Sequence, residues 1–487
     1  MSEPVRFVSR GQVVAVGADI PHTMTVLEYL RTRLRRLGSK EGCAEGDCGA
    51  CTVVIGEAGE NGRLRYRAVN ACILFVHQLD GKALFTVDDL AEDEALHPVQ
   101  QAMVDTHGSQ CGFCTPGFVM SLFAYFHQHD RADDGSLKDA LAGNLCRCTG
   151  YRPILDAGRR MFELAGGKKD RFAAEETALL AQLGTLTRSR MLRHSTPEGD
   201  FLAPETPEQL ADLLAELPAG ESWILAGGTD VGLWVTKQQR VPRSIVWLGR
   251  IAALKRITDH GDRIEIGAGV TYTDAFAAIA ALHGDFARML RRLGSTQIRN
   301  SGTIGGNIAN GSPIGDSMPA LIALGASIRL QSRAGSREMA LEDFYLAYRK
   351  TALQPGEFVA SVTVSKPGPY SRFGVYKLSK RFDQDISAVL AAFHVVLDAE
   401  TVRTARLAYG GMAGVPARAV KTEAALAGRR FRPAEIEPAV AALAEDFQPM
   451  SDMRASAGYR LLSAQNLLRK FCLEVSTGSR IGVEAAE

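Results

Sequence analysis

The placement of cysteines constrains this chain more than any other feature of its sequence. Of nine cysteines only Cys472 lies beyond residue 150, and the others are Cys43, Cys48, Cys51, Cys72, Cys111, Cys114, Cys146 and Cys148. The N-terminus lacks the apolar core of a signal peptide, and no stretch reaches about 18 uninterrupted apolar residues, so we expect a cytoplasmic protein that does not enter a membrane. Because disulfides do not persist in a reducing cytosol, thiolates held by metal are the favoured interpretation.

Length, composition and charge restrict the number of domains and the kinds of partner that we expect. At 487 residues the chain exceeds what one hydrophobic core organises, which predicts two to four domains. Its 46% hydrophobic and 23% charged residues are ordinary for a chain that folds throughout. The net charge is +1 and there is no basic run, so nucleic acid is not an expected partner.

Hydrophobic periodicity predicts an α+β module followed by helices. Alternation over 5–9 and 13–16 indicates a hairpin, and helical spacing over 23–37 indicates a helix that Gly38 closes. Short strands are expected near 52–55 and 64–66. Beyond about residue 95 the pattern is helical, with Pro116 in a first turn and further helices at 136–141 and 154–165.

Cys43-x4-Cys48-x2-Cys51 followed by Cys72 is the plant-type [2Fe–2S] spacing. Soft thiolates match iron and sulfide, and the glycines of 42–49 would let a loop turn sharply and direct N–H groups at the sulfurs. The alternative is a zinc site of an interaction module, although zinc sites favour paired CxxC units.

Cys111-x2-Cys114 and Cys146-x1-Cys148 supply four more thiols in helical surroundings. A CxxC pair alone also fits a thioredoxin-like redox pair or half of a zinc knuckle. Each pair is expected at or near a helix start, where free N–H groups and the helix dipole stabilise thiolates. This favours a second cluster between helices.

These cysteines lie in four stretches that resemble the iron–sulfur module of the molybdenum hydroxylases, the xanthine dehydrogenase family. The stretches are EGCAEGDCGAC at 41–51, VNACI at 69–73, CGFCTPG at 111–117 and GNLCRCTGYRPI at 143–154. The resemblance implies two [2Fe–2S] clusters, one for each set of four cysteines. We expect Cys472, outside both sets, to be a small buried residue of the last helix.

Two glycine-rich stretches point to a flavin. AGGTD at 226–230 follows a predicted strand, and GSTQIRNSGTIGGNIANGSPIGDSMP occupies 294–319. Neither is the GxGxxG fingerprint of a Rossmann domain, and tight structural turns are the alternative. Together they resemble the FAD domain of vanillyl-alcohol-oxidase-type flavoproteins and of the xanthine dehydrogenase family. The FAD contacts implied are Ile224, Leu225, Ala226, Gly227, Gly228, Thr229, Asp230, Val231, Leu293, Thr303, Ile304, Gly305, Gly306, Asn307, Asp316, Val359 and Lys377.

The resemblance also implies roles. N–H groups of the glycine loops would bind the pyrophosphate, Asp316 the ribose hydroxyls, and Lys377 would place a cation near the isoalloxazine carbonyls. Val359 is expected to pack, and Leu293 stands where the family also has an aromatic residue. The segment 376–389 resembles the mobile loop where NAD approaches the flavin, and a solvated charged turn is the alternative.

The predicted architecture is multidomain α+β in five segments. These are a β-grasp ferredoxin-like domain at 1–90, a helical [2Fe–2S] domain at 91–166, a linker at 167–195, an FAD-binding domain of the vanillyl-alcohol-oxidase type at 196–368 and an α+β C-terminal flavoprotein subdomain at 369–487.

The function implied is electron transfer in an NAD-dependent enzyme that oxidises hypoxanthine and xanthine to urate. Because the sequence ends at Glu487 without a molybdopterin region, we expect a partner subunit to carry it, in an α2β2 heterotetramer. Electrons would pass through the helical cluster, the ferredoxin-like cluster and FAD to NAD+, and no catalytic side chain is expected here. Alternatives are a partner that oxidises another N-heterocycle or an aldehyde, and a free-standing flavin oxidase with incidental cysteines.

Overall fold

The chain folds into two units, which confirms the multidomain α+β prediction. Unit 1 comprises Met1–Ala252 with Gly294–Gly302, and unit 2 comprises Ala253–Leu293 with Thr303–Glu487. Within the described ranges, no helix combines the length and apolar character that crossing a bilayer requires. The computed structural model describes residues 2–59, 61–92, 95–168, 170–218 and 220–482.

Unit 1 begins with a five-stranded β-grasp sheet and one helix. The predicted hairpin is present, and its first strand also pairs in parallel with the fifth, giving the order β2-β1-β5-β3-β4. Val5 and Phe7 of β1 are buried in one hydrophobic core and Val8 in another, so both faces of the sheet are covered there. The elements are β1 (Val5–Ser9), β2 (Gln12–Val16), α1 (Val26–Thr32), β3 (Thr52–Ala58), β4 (Leu64–Asn70) and β5 (Ala83–Phe85).

The helix predicted over 23–37 is shorter in the structure. Thr25 caps it, but α1 ends at Thr32. Arg35 has a left-handed φ of 55°, and the N–H of Arg36 turns back to the carbonyl of Leu30. A non-glycine residue in this conformation interrupts a helix, so the later leucines of the pattern lie outside it.

Four helices follow, and they include the three predicted from the sequence. Pro116 lies in the first turn of α3, where its missing N–H costs no hydrogen bond. The buried face of α3 includes Phe118, Leu122 and Phe123. The helices are α2 (Pro98–Asp105), α3 (Thr115–Gln128), α4 (Asp134–Leu141) and α5 (Arg152–Ala165).

The stretch predicted as a linker is largely folded. It contains α6 (Arg171–Ala174) and α7 (Glu176–Thr185). Asp170 caps α6 and lies 2.8 Å from His97 Nε2 and 3.1 Å from His127 Nε2. Burial would raise the pKa of Asp170, but the nearby His127 imidazole and the hydrogen bond from His97 hold that pKa well below its usual range. These buried contacts fix the stretch to the helical part of unit 1.

A mixed four-stranded sheet, in the order β6-β7-β9-β8, completes unit 1. Since β7 and β8 both run parallel to β9, their carboxyl ends meet at one edge of the sheet, and the 226–230 turn follows β8 there. The elements are β6 (Leu192–Thr196), β7 (Gly199–Ala203), α8 (Pro207–Glu216), β8 (Ser222–Leu225), α9 (Val231–Thr236), β9 (Ser244–Trp247) and, from the inserted segment, α12 (Thr296–Ser301).

Unit 2 contains a five-stranded sheet, β10-β11-β16-β12-β13, a two-stranded ribbon, β14-β15, and a four-stranded sheet, β17-β18-β19-β20. Cys472 is fully buried in the last helix, as predicted. The strands are β10 (Ile257–Asp259), β11 (Arg263–Gly267), β12 (Ser327–Ser332), β13 (Gly335–Ala340), β14 (Tyr345–Ala347), β15 (Lys350–Thr351), β16 (Phe358–Ser365), β17 (Ser371–Leu378), β18 (Val389–Asp398), β19 (Thr401–Gly410) and β20 (Ala417–Arg418). The helices are α10 (Tyr272–Leu282), α11 (Gly284–Arg291), α13 (Ile304–Asn310), α14 (Ser317–Ala323), α15 (Val420–Leu426), α16 (Glu437–Asp446) and α17 (Ala457–Thr477).

Candidate functional site

The first cysteine set forms one group of four sulfurs at an end of the β-grasp sheet. Cys51 precedes β3 and Cys72 follows β4, and the antiparallel pairing of these strands brings the two cysteines to the same end. The Cys43 thiol hydrogen-bonds with those of Cys48 and Cys72, and Cys72 also bonds with Cys51. Sharing protons in this way lowers the pKa of Cys43 and raises the pKa values of Cys48 and Cys72.

The backbone of this loop fits an iron–sulfur cluster. The N–H groups of Asp47 and Cys48 both donate to Cys43 Sγ at 3.3 Å. A Cβ on Gly42 would lie 2.7 Å from Cys48 Sγ, so glycine is needed there to leave room for the sulfur. Four thiols approached by backbone N–H donors are the ligand set that [2Fe–2S] clusters use.

The second set lies at the ends of α3 and α5. Cys114 hydrogen-bonds with Cys146, and Cys111 with Cys148. Burial, with the Cys146 contact, raises the pKa of Cys114 to about 12. Burial would also raise the pKa of Cys146, but the hydroxyl and N–H of Thr149, with the N–H of Cys148, lower it. This set therefore also combines four thiols with backbone donors.

The two sets differ in exposure. Cys51 and Cys72 are buried, whereas Cys111 and Cys148 are exposed. In the part of the chain that the structure describes, no three His, Cys, Asp or Glu side chains gather as the ligands of a single metal ion would. The sulfurs of the first set are instead linked one to the next, from Cys48 through Cys43 and Cys72 to Cys51.

The two cysteine loops contact each other directly through their backbones. The N–H of Leu145 donates to the carbonyl of Cys48 at 2.9 Å. A Cβ on Gly49, whose φ is +70°, would lie 2.1 Å from the carbonyl oxygen of Gly143, and a Cβ on Gly117 would lie 2.2 Å from that of Gly49. Gly49 and Gly117 permit an approach that any side chain at these two positions would prevent.

The predicted flavin residues of unit 1 span the end of β8, the turn after it and the first residue of α9. Ile224 is exposed, whereas Leu225 and Val231 on either side of the turn are buried. A Cβ on Gly227 would lie 1.8 Å from the carbonyl oxygen of Ser301, so this glycine is required for backbone packing. The turn therefore brings the 226–230 stretch against the end of α12.

The same turn and α9 lie next to the first cysteine loop. A Cβ on Gly232 would lie 2.6 Å from the carbonyl oxygen of Ile73, the residue after Cys72. The Thr236 hydroxyl donates to the carbonyl of Ala44 at 2.8 Å. Within unit 1 the first cysteine set is thus the neighbour of the predicted flavin turn.

The predicted flavin residues 303–307 of unit 2 begin α13. Their N–H groups from 304 to 307 donate inside the chain, to the carbonyls of Val270 and Ala268 and to the hydroxyl and carbonyl of Thr303. In this conformation they are not free to bind a pyrophosphate. Gly305 instead allows close packing, since its Cβ would lie 2.3 Å from Ala268 Cβ.

Asp316 and Lys377 of unit 2, predicted to contact different parts of FAD, contact each other. Lys377 Nζ lies 2.6 Å from Asp316 Oδ2 and donates to the carbonyl of Arg292 at 2.8 Å. The hydroxyl of Ser387 donates to Asp316 Oδ1 at 2.5 Å. Both charged side chains are almost fully buried. Val359 is buried in the same core against which Leu293 packs.

Arg292 is a residue that sequence reasoning missed. It donates to the carbonyls of Lys377 and Phe382 and to the hydroxyl of Ser379, each at 3.0 Å, and its guanidinium lies 4.6 Å from the Phe382 ring centre. It therefore anchors the loop after β17, within the predicted 376–389 segment. Its position directly before Leu293, a predicted FAD contact, was the indication in the sequence that it lies near the predicted flavin residues.

Four family models match in the predicted order. They are the 2Fe-2S iron-sulfur cluster binding domain over 14–77, the [2Fe-2S] binding domain over 86–159, the FAD binding domain in molybdopterin dehydrogenase over 196–367 and the CO dehydrogenase flavoprotein C-terminal domain over 374–475.

Similar curated proteins are much longer than this chain. The xanthine dehydrogenase of Emericella nidulans is 33% identical over 91% of this chain and 36% of its own length. The xanthine dehydrogenase/oxidase of Mus musculus is 31% identical over 93% of this chain and 37% of its own. The chain thus spans little more than a third of the length of these relatives.

Similar solved structures cover about half of the chain. Carbon monoxide dehydrogenase from Hydrogenophaga pseudoflava matches with a TM-score of 0.53 and 26% identity, over 56% of this chain and 95% of that one. CO dehydrogenase from Oligotropha carboxidovorans matches with a TM-score of 0.52 and 28% identity, over 55% and 93%. Quinoline 2-oxidoreductase from Pseudomonas putida 86, at 23% identity and a TM-score of 0.52 over 57% and 97%, shares the fold.

Proposed function

The chain belongs to the molybdenum hydroxylase family as an iron–sulfur and FAD chain, and from that premise we propose that it carries electrons from a molybdopterin-binding partner to NAD+. The observation that carries this proposal is the pair of four-thiol sets, joined through the backbones of their loops in unit 1. A redox relay needs two centres held close together, which this junction supplies.

The eight cysteines of the two sets are the proposed cluster ligands. When bound, the clusters would each pass one electron at a time and the flavin would collect two, which NAD+ takes up as hydride. The chain contributes the thiolates, the N–H groups of Asp47, Cys48 and Thr149 that donate to sulfur, and the partial burial that tunes reduction potential.

Exposure and contact support one order of transfer. Cys111 and Cys148 are exposed, so the second set is the proposed entry point from the partner. Its loop contacts Cys48 of the first set, and the first set in turn lies beside the 226–232 turn. Electrons would therefore pass from the second set to the first and then to the flavin.

The FAD contacts remain those proposed from the sequence, with their roles refined. In unit 1 the Ala226–Asp230 stretch is the proposed backbone donor. In unit 2 the 303–307 stretch is proposed to shape the site by close packing, because its N–H groups are engaged. Lys377, held by Asp316, is the proposed buried charge beside the ring system.

For the substrate we propose hypoxanthine and xanthine, oxidised to urate on a molybdopterin subunit in a cytoplasmic α2β2 complex. The names of the similar curated proteins, which are xanthine dehydrogenases, support this choice. The partner would supply the substrate site, and this chain would supply the route to NAD+. A partner acting on another N-heterocycle or an aldehyde is the alternative.

Two measurements test the proposal. Chain purified with its partner should contain iron and acid-labile sulfide for two [2Fe–2S] clusters, one flavin, and two distinguishable EPR signals after reduction. Zinc without iron would contradict the cluster assignment. Turnover of the complex with xanthine, hypoxanthine, quinoline and aldehydes, with NAD+ or O2 as acceptor, then separates the substrate classes, and no purine turnover would contradict the xanthine proposal.

A further inference from the structure

Gln297 lies at the junction of the two cysteine loops, although its sequence stretch resembles a flavin motif. The side chain is fully buried within unit 1. Its amide Nε2 has three acceptors within hydrogen-bond distance, Thr52 Oγ1 at 3.3 Å, Ser121 Oγ at 3.1 Å and Asn144 Oδ1 at 3.0 Å, for its two N–H bonds. The amide oxygen Oε1 has no hydrogen-bond partner among the described residues, and a Cβ on Gly143 would lie 1.9 Å from it, so only glycine leaves room for this side chain.

Asn144 extends the same buried network. Its Nδ2 donates to the carbonyl of Gly49 at 3.1 Å and to Thr52 Oγ1 at 3.2 Å, while its Oδ1 also accepts from Ser121 Oγ at 2.6 Å. The Thr52 hydroxyl in turn donates to the carbonyl of Gly49 at 2.6 Å. All the side chains of the network are buried.

The three partners of Gln297 lie on segments that lead to or from a cysteine. Thr52 directly follows Cys51, Asn144 lies two residues before Cys146, and Ser121 is on α3, which begins after Cys114. The network therefore joins the first cysteine loop to both halves of the second set.

The helix that carries Gln297 is itself anchored on both sides. Asn300 Nδ2 donates to the carbonyl of Ala68 on β4 at 2.9 Å. Arg299 pairs with Asp139 of α4 at 2.6 Å, and the hydroxyl of Thr296 donates to the Asp139 carbonyl at 2.9 Å. The helix α12 thus spans the β-grasp sheet and the helical part of unit 1.

We propose that Gln297 and Asn144 are positioning residues that hold the two cysteine loops at a fixed separation and so set electron transfer between the two clusters. The inference rests on the proposed function. Buried amides with several partners hold one geometry, because each broken hydrogen bond leaves a polar group unsatisfied away from water. Electron tunnelling weakens steeply with distance, so a small separation of the loops would slow the transfer.

The test is Gln297→Met in the full chain purified with its partner, which keeps the side-chain length but removes the amide. Gln128→Met is the matched control, because Gln128 lies at the far end of α3 and donates to the Tyr66 carbonyl at 2.6 Å. After dithionite reduction, both variants should keep both EPR signals. Only Gln297→Met should lose magnetic interaction between the two spins, seen as weaker splitting and a slower-relaxing signal at high microwave power.

Ser121→Ala is a second, milder variant for the case that Gln297→Met cannot be purified with both clusters bound. It removes one acceptor of Gln297 and should weaken the same interaction. If Gln297→Met contains both clusters and its spin interaction is unchanged, the inference is overturned. If Gln297→Met does not contain both clusters, unchanged spin interaction in Ser121→Ala overturns it. Parent protein without two EPR signals would instead remove the proposed function itself, which separates the two failures.

Discussion

At the scale of single residues, the buried ion pair of Lys377 and Asp316 should be costly to break in unit 2. The two side chains are 2% and 8% exposed and lie 2.6 Å apart. Removing one member of a buried pair leaves the other charge uncompensated, at a cost of about 3–5 kcal/mol. We expect Lys377→Met to lower the melting temperature and the flavin content while the iron content stays unchanged.

An exposed pair of the same unit serves as the control for that variant. Lys366 lies 2.8 Å from Asp259, with 32% and 60% of the side chains exposed. Because such surface pairs contribute about 0–1 kcal/mol, Lys366→Met should change neither the melting temperature nor the flavin content measurably. If both lysine variants changed the melting temperature and the flavin content equally, Lys377 would not be in a buried pair that stabilises the flavin site.

His77 makes unit 1 sensitive to acid. Its ring is fully buried, and neither nitrogen has a hydrogen-bond partner among the described residues. Burial, together with nearby His194 and His22, holds the pKa of His77 well below 6.5. The unfolded chain therefore binds a proton that the folded chain does not, so this contribution to stability is complete above pH 6.5 and falls as the pH drops toward the folded pKa.

We expect His77→Leu to reduce the loss of stability on acidification. Each pH unit below the unfolded pKa removes about 1.4 kcal/mol for such a histidine, until the folded pKa is reached. Melting temperatures at about pH 7.5 and about pH 5.5 should differ less in the variant than in the parent. His260→Gln, which alters a partly exposed imidazole, should leave the parent's pH dependence intact. A variant as acid-sensitive as the parent would refute the role given to His77.

At the scale of elements, the cysteine loops depend on glycines that differ in what surrounds them. Gly49 and Gly81 have similar left-handed φ values of +70° and +76°, but only Gly49 faces another backbone. Alanine at either position costs about 1–2 kcal/mol in conformational strain. At Gly49 the Cβ would also lie 2.1 Å from the Gly143 carbonyl oxygen, and the loops must separate to admit it.

Gly49→Ala should therefore lose iron and be destabilised by more than the strain alone, whereas Gly81→Ala should show only the strain and keep its iron. Iron and acid-labile sulfide per chain are measured together with the melting temperature. Backbone strain alone lowers the melting temperature, whereas separation of the loops also lowers the iron content. If both variants kept full iron content, the close contact between the loops would not be required for cluster binding.

The loop of Cys43, Cys48 and Cys51 stands out in the sequence because its spacing is local information, whereas the second set, whose pairs lie far apart in the chain, was assigned through the family resemblance. The end of α1 could not be predicted, because the left-handed turn at Arg35 breaks a leucine pattern that reads as continuous. The stretch 297–300 was misleading in a different way, since Gln297 and Asn300 point their amides at the iron–sulfur part of unit 1. Contacts between residues far apart in the chain leave no periodic signal.

At the scale of the whole molecule, the proposed relay assigns electron transfer from the partner to the two clusters and the reaction with NAD+ to the flavin. The second cysteine set is partly exposed, and the flavin contacts proposed in unit 2 share none of its residues. Loss of one cluster should thus interrupt electron flow from the partner without removing the chemistry at the flavin. A single substitution can test this separation.

Cys146→Ala should lose one of the two EPR signals and stop turnover of purine with NAD+, while NADH still reduces a dye through the flavin. The cause is local, since Cys146 has hydrogen bonds with Cys114 and Thr149 of the second set and contributes nothing to the first. Cys472→Ala is the matched control, because that buried cysteine of α17 belongs to neither set and should keep both signals and turnover. Loss of NADH–dye reduction in a folded, flavin-replete Cys146→Ala protein would show that the flavin reaction depends on the second cluster, and the linear relay would have to be abandoned.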